Sequence, residues 1–83
     1  MKNKEALKKQ IIYRSLHRGS KEMDLLIGGF VKKNVYNLNV QDLDDLLKLL
    51  SIDDEVIFHW YTKKNANNIP KTRISKMLKD FKI

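Results

Sequence analysis

The sequence predicts an all-α fold, a compact bundle of five short helices forming one domain over residues 1–83. Three observations carry the prediction. Apolar residues return at three- and four-residue intervals in five separate stretches, the spacing that lines one face of an α-helix. No stretch keeps the alternation of period two that a half-buried strand needs. A chain of 83 residues also leaves room for one core only, since domains run to about 100 to 150 residues and seldom divide below that.

Over residues 5–17, Leu7, Ile11, Ile12 and Leu16 fall at helical spacing among Lys8, Lys9 and Arg14, which describes an amphipathic first helix. Gly19 follows it and is expected to take left-handed backbone. Ser20 then suits the N-cap of a second helix, with Glu22 in its first turn near the positive end of the helix dipole. Met23, Leu26, Ile27, Phe30 and Val31 keep the helical period to about Asn34, across Gly28 and Gly29. Each glycine costs a helix about 1 kcal/mol against Ala, so close helix packing is expected to compensate.

Residues 36–39 break the period, and Asn39 resembles an N-cap for a third helix. There Val40, Leu43, Leu46, Leu47 and Leu50 are expected inside, with Asp42, Asp44, Asp45 and Lys48 in water. Asp53 and Asp54 are read as caps of a fourth helix whose apolar stripe is Val56, Ile57, Trp60 and Tyr61. Residues 65–68 read as a loop. Pro70 suits the first turn of a fifth helix carrying Ile74, Met77, Leu78 and Phe81.

Composition narrows the function. With 42% hydrophobic and 33% charged residues the chain is too apolar to stay disordered, and no apolar run approaches the roughly 20 residues that cross a bilayer. It contains no cysteine, which excludes disulfides, thiol nucleophiles and thiolate metal sites and fits a reducing compartment. The net charge of +7 is uneven. Residues 1–23 carry seven Lys/Arg against two Glu, residues 40–60 one Lys against six acids, and residues 61–83 seven Lys/Arg against Asp80. Fourteen of the seventeen basic residues are Lys, so an Arg-rich face for nucleic acid is missing.

Enzyme motifs are absent: there is no phosphate-cradling Gly-rich loop and no nucleophile elbow. His17 and His59 share no metal-ligand spacing. Asp42, Asp44 and Asp45 sit where a helix N-terminus favours acids, so capping is preferred to a catalytic pair. Trp60 and Tyr61 could stack a base or a flavin, although a helical aromatic stripe is more often core. The junction Arg14 to Asp24 stands apart because polar groups crowd it. Gly, Ser and first-turn acids there are ordinary helix punctuation, but a Lys would serve a helix C-terminus as well as Arg18 does. An exposed Arg and Glu flanking a glycine would make a docking point for another protein's backbone.

The stretch from Tyr13 to Phe30, YRSLHRGSKEMDLLIGGF, closely resembles the signature of the succinate dehydrogenase assembly factor family, small proteins that promote covalent FAD attachment to the dehydrogenase's flavoprotein subunit. The family's RGxxE motif falls on Arg18, Gly19 and Glu22. Its wider pattern also covers Arg14, Ser15, His17, Met23, Asp24, Leu25, Leu26, Gly28 and Phe30. Asp53-Asp54 through Trp60 is similar to the family's DDxxLxxW helix. After Trp60 the chain departs from the family's pattern: a Thr-Gly turn is common there, and this chain has Tyr61-Thr62-Lys63-Lys64, so functional weight stays on the first half.

The resemblance implies a chaperone-like FAD assembly factor that is not an enzyme. The family's reaction joins the flavin ring to a His of the flavoprotein, and an accessory protein would contribute by holding a reactive conformation. The partner-binding residues implied are Arg14, His17, Arg18, Gly19, Glu22 and Asp24, with Asp24 orienting Arg14 or Arg18; no catalytic, cofactor-binding or metal residue is expected. The implied partner is the flavoprotein subunit of succinate dehydrogenase, with fumarate reductase as a second candidate client. No nucleic acid, membrane or stably bound FAD is expected, and the protein is expected to be a monomer. The opening residues Met1 to Glu5 lead into no apolar or transit-like segment, so a bacterial, cytoplasmic form is expected. Two alternatives stay open: a small basic nucleic-acid-binding protein and an antitoxin-like interaction module.

Overall fold

Asn3 starts the first helix by accepting from the backbone N–H groups of Glu5 at 2.9 Å and Ala6 at 3.4 Å, two of the donors that a helix N-terminus leaves open. The computed structural model describes residues 3–16, 18–63 and 69–82, so the expected loop at 65–68 lies outside the described residues. Helix α1 is Lys4–Ser15. The second helix, α2, covers residues 21–34 in three consecutive parts: α-helical Lys21–Met23, a π turn at Asp24–Gly28, and α-helical Gly29–Asn34. A 3₁₀ turn at Val35–Asn37 leads to α3, Val40–Leu50. Then come α4, Asp54–Thr62, and α5, Arg73–Asp80. The described residues contain no strand, so the all-α bundle of five helices stands.

The bundle measures 35 × 24 × 20 Å, with α1 laid chiefly on α3 and α5 packed on α3 as well. The stripe of α2 is as the spacing predicts: Met23, Leu26, Ile27, Phe30 and Val31 are all buried. Val35 and Leu38 carry the core through the connection, and Leu43, Leu46, Leu49 and Leu50 face it from α3. Ser20 and Asn39 cap as expected, accepting from Met23 N–H at 3.2 Å and Asp42 N–H at 2.8 Å.

Five expectations are corrected at helix ends. Leu16 has left α1 in extended backbone and is 53% exposed, while Ser15 is buried with its hydroxyl donating to the Ile12 carbonyl at 2.7 Å. Val40 is exposed at the start of α3, and Asp42, expected in water, is buried and bound by Arg73 Nη1 at 2.6 Å. Pro70 does not lie in a first helical turn. Helix α5 begins three residues later because Thr72 and Ser75 form a reciprocal capping box, Ser75 N–H to Thr72 Oγ1 at 3.0 Å and Thr72 N–H to Ser75 Oγ at 2.8 Å. Asp53 precedes α4 without a side-chain cap bond.

The two glycines of α2 differ in their surroundings. A Cβ on Gly29 would touch the Phe81 ring at 3.4 Å, and that ring stands edge-on to Phe30 with centroids 5.6 Å apart, so packing accounts for Gly29. A Cβ on Gly28 would meet only the Ser15 carbonyl, at 3.8 Å, an ordinary contact. Trp60 and Tyr61 are half-buried against the core, with the Tyr61 hydroxyl donating to the Phe81 carbonyl.

Lys79 fastens the end of α4. Its ammonium donates to the carbonyls of Trp60 and Lys63 and lies 4.9 Å from the Trp60 ring centroid. Lys79→Met keeps the apolar stem and removes these contacts. It is expected to cost about 1 to 2 kcal/mol, lowering the melting temperature by about 5 to 10 °C in a circular-dichroism melt. An unchanged midpoint would show that these carbonyls are equally satisfied by water.

Candidate functional site

The chain turns between α1 and α2 by extending twice, at Leu16 (φ −88°, ψ 151°) and at Ser20 (φ −146°, ψ 163°). His17 lies outside the described residues. The turn is tied from ahead by Asp24, which opens the π turn and accepts from Arg18 N–H at 2.7 Å. Asp24 therefore holds the backbone of Arg18, where the expectation was that it would orient a guanidinium.

The side chain of Arg18 runs inward. Its Nε donates to Asp54 Oδ1 at 2.9 Å, and its Nη2 reaches the same oxygen. Its Nη1 donates to the carbonyls of Arg14 at 2.9 Å and Leu50 at 3.3 Å. Only 11% of the Arg18 side chain and 22% of the Asp54 side chain are exposed. The expectation of an exposed Arg18 is thus corrected: its guanidinium joins the end of α1, the end of α3 and the start of α4. That geometry explains why the residue is Arg. A planar fork serves a carboxylate and two carbonyls in fixed directions, which a Lys ammonium on a flexible stem does not.

Gly19 is held by the same acid, its N–H donating to Asp54 Oδ2 at 2.6 Å. Its φ lies outside the left-handed region, so the expected backbone reason for a glycine is corrected too. The actual reason is proximity, since a Cβ at this position would stand 3.0 Å from Asp54 Oδ2. Asp54 therefore clamps two consecutive residues of the turn, one through its side chain and one through its backbone.

Sequence reasoning assigned Asp54 to a cap and missed this role. The only available signal was the pair Asp53-Asp54 in the second, weaker stretch of family likeness. Of the remaining site residues, Arg14 is exposed and reaches Ser51 Oγ at 3.4 Å. Glu22 is exposed with no ion pair among the described residues. Two open clefts flank the clamp. One, of about 490 Å³, lies between Arg14, Arg18, Leu50 and Ser51; the other, of about 440 Å³, lies between Gly19, Glu22, Met23, Phe58 and His59. Gly19 and Asp54 border both, so the clamped turn is a ridge with a hollow on each side. Among the described residues no group of three or more His, Asp or Glu is placed to hold a metal ion.

The fold and the site together define a small helical bundle that presents a pre-set turn on its surface. The family described as the flavinator of succinate dehydrogenase matches residues 9–82, and the chain belongs to that family. It is 42% identical over 60 residues to succinate dehydrogenase assembly factor 2, mitochondrial, of Dictyostelium discoideum, covering 72% of this chain and 43% of that protein. Identity to the protein of the same name from Lodderomyces elongisporus is 36% over 74 residues, covering 89% of this chain and 43% of the relative. The FAD assembly factor SdhE of Acetobacter pasteurianus is 34% identical over 58 residues, covering 70% and 53%. The chain thus spans about half the length of the curated relatives it matches. No solved structure matches it significantly. Among the described residues no helix is long and apolar enough to cross a membrane.

Proposed function

We propose that this chain is an FAD assembly factor that binds the flavoprotein subunit of succinate dehydrogenase and promotes covalent attachment of its FAD. The observation that carries the reading is the clamp of Asp54 on Arg18 and Gly19, in a chain of the flavinator family. A turn fixed before encounter loses little conformational entropy on docking, so its shape can be imposed on a partner. Gly19 lets the partner's backbone come close, and Glu22 and Arg14 offer exposed charges on either side for charge-assisted hydrogen bonds. The flavin and the flavoprotein supply the bond-forming groups, and this chain stabilises the arrangement in which they react.

The role is chaperone-like and non-catalytic, with no FAD held stably by the chain itself. We extend the proposal to a monomer acting in a bacterial cytoplasm, with the fumarate reductase flavoprotein as a second client. Nucleic acid is left out because two of the three arginines, Arg18 and Arg73, are already paired with Asp54 and Asp42.

Glu22→Ala tests the reading. It removes an exposed first-turn acid at a helix cost of about 0.3 to 1 kcal/mol, so the fold survives. In a strain lacking the endogenous factor, in-gel fluorescence of the flavoprotein band is expected to fall at least severalfold. Fluorescence equal to that with the unaltered chain would remove Glu22 from the interface.

A further inference from the structure

We propose that the groove between α1 and α2 is a second docking point, which receives an apolar side chain carried on an acidic segment of the flavoprotein client. This inference rests on the function proposed above and adds a surface to it.

The groove has a volume of about 270 Å³ and is bordered by Ile12 on α1, Leu16 just past its end, Gly28 and Lys32 on α2, and Tyr36 beyond it. Its size falls below the roughly 300 Å³ at which small-molecule pockets begin, so it fits a protein's anchor side chain better than a free cofactor. Leu16 and Tyr36, two of the most exposed large apolar residues, at 53% and 68%, stand on its border.

Gly28 lines the groove without a side chain. Its backbone is ordinary right-handed helix (φ −60°, ψ −43°), and a Cβ there would meet only the Ser15 carbonyl at 3.8 Å. Neither conformation nor internal packing asks for a glycine, although glycine weakens a helix. What its missing side chain does provide is depth in the groove. Charge points the same way. No Asp or Glu borders the groove. Lys32 does, exposed and without a carboxylate partner among the described residues, while the Lys8 ammonium, 5.4 Å from the Tyr36 ring centroid, is already paired with Glu5 at 3.2 Å. An apolar slot with a cationic edge is complementary to an apolar anchor flanked by carboxylates. The groove also lies close to the clamped turn. Leu16, at the near end, is two residues from Arg18, so a partner seated on the clamped turn reaches the groove without leaving the surface.

The test uses the purified chain, the flavin-free flavoprotein subunit and isothermal titration calorimetry, with Gly28→Ala, Lys32→Glu and Glu22→Ala compared. Gly28→Ala is expected to melt at or above the unaltered protein yet to bind about tenfold more weakly, the scale of one interface side chain. Lys32→Glu is expected to weaken binding about tenfold at low salt, with the difference shrinking as salt is added. A carbodiimide that joins amines to carboxylates is expected to couple Lys32 to an Asp or Glu of the client. Lys32→Arg should keep binding and lose that crosslink. Unchanged affinity in both groove variants, with affinity lost in Glu22→Ala, would overturn the groove and leave the proposed function standing. Unchanged affinity in all three would overturn both. A fall in melting temperature that accompanies the affinity loss of Gly28→Ala, with unchanged affinity in Lys32→Glu, would make the glycine structural and overturn the groove. A concentration-dependent dimer that Lys32→Glu dissolves would give the groove to a second copy of the chain and overturn the stated occupant.

Discussion

Asp54→Ala is expected to lower the melting temperature by about 10 to 20 °C, the largest loss for any single charged residue in the molecule. The carboxylate receives the Nε and Nη2 groups of Arg18 on one oxygen and the N–H of Gly19 on the other. Its removal leaves a guanidinium that is only 11% exposed facing two carbonyls and no counter-charge. Breaking a fully buried pair costs about 3 to 5 kcal/mol, and the partial exposure of both partners reduces this to about 2 to 3 kcal/mol. An 83-residue domain has a stability of roughly 4 to 12 kcal/mol, so the variant is weakened severely without being abolished. Asp53→Ala is the control. Asp53 is exposed and caps nothing with its side chain, so its loss should stay within about 0.5 kcal/mol. Matching denaturation curves for the two variants would show that Arg18 finds equal partners elsewhere.

Much of the bundle is legible in the sequence because helix periodicity is local. The stripe from Met23 to Val31 and the caps at Ser20 and Asn39 depend only on residues within two turns, and all appear as read. Legibility fails at ends. Leu16 and Val40 continue a helical pattern by spacing, but the backbone leaves α1 before Leu16, and Val40 opens α3 where one side of the first turn is uncovered. It fails again where two residues each have a sufficient local explanation. Asp54 passes for a cap and Arg18 for a cation at a helix C-terminus, and nothing local links them across 36 positions. Asp42 and Arg73, 31 positions apart, are disguised in the same way. Gly19 shows the same failure, since its need for glycine comes from Asp54 and not from its own backbone.

These long-range pairs give the charge distribution a structural meaning. A net charge of +7 spread evenly would suggest an external acidic partner, but the chain has basic ends and an acidic middle. In the fold, an arginine from each end meets an acid from the middle: Arg18 meets Asp54, and Arg73 meets Asp42. Two of the three arginines are thus tied to acids of the same chain, and what remains for solvent or partners is mainly lysine. A charge pattern that closes on itself argues for a module whose recognition depends on shape at the turn, with charge as a secondary guide.

Gly19→Arg is expected to abolish covalent flavinylation of the client while leaving a folded bundle. The first consequence is internal. A Cβ 3.0 Å from Asp54 Oδ2 must displace a carboxylate that Arg18 holds in place, an overpacking cost of about 1 to 2 kcal/mol. Gly19→Ala carries that cost alone, so it isolates the strain on the clamp from any effect on the partner. The arginine adds a second consequence, because its guanidinium competes with Arg18 for Asp54 or stands over the ridge between the two clefts, where the client is proposed to sit. In a strain lacking the endogenous factor, in-gel flavin fluorescence should therefore be reduced for Gly19→Ala and absent for Gly19→Arg. Circular dichroism should show helical protein in both, with similar losses of melting temperature. Equal loss of fluorescence in the two variants would place the whole effect in the clamp. A folded Gly19→Arg that supports full flavinylation would show that no partner approaches this turn.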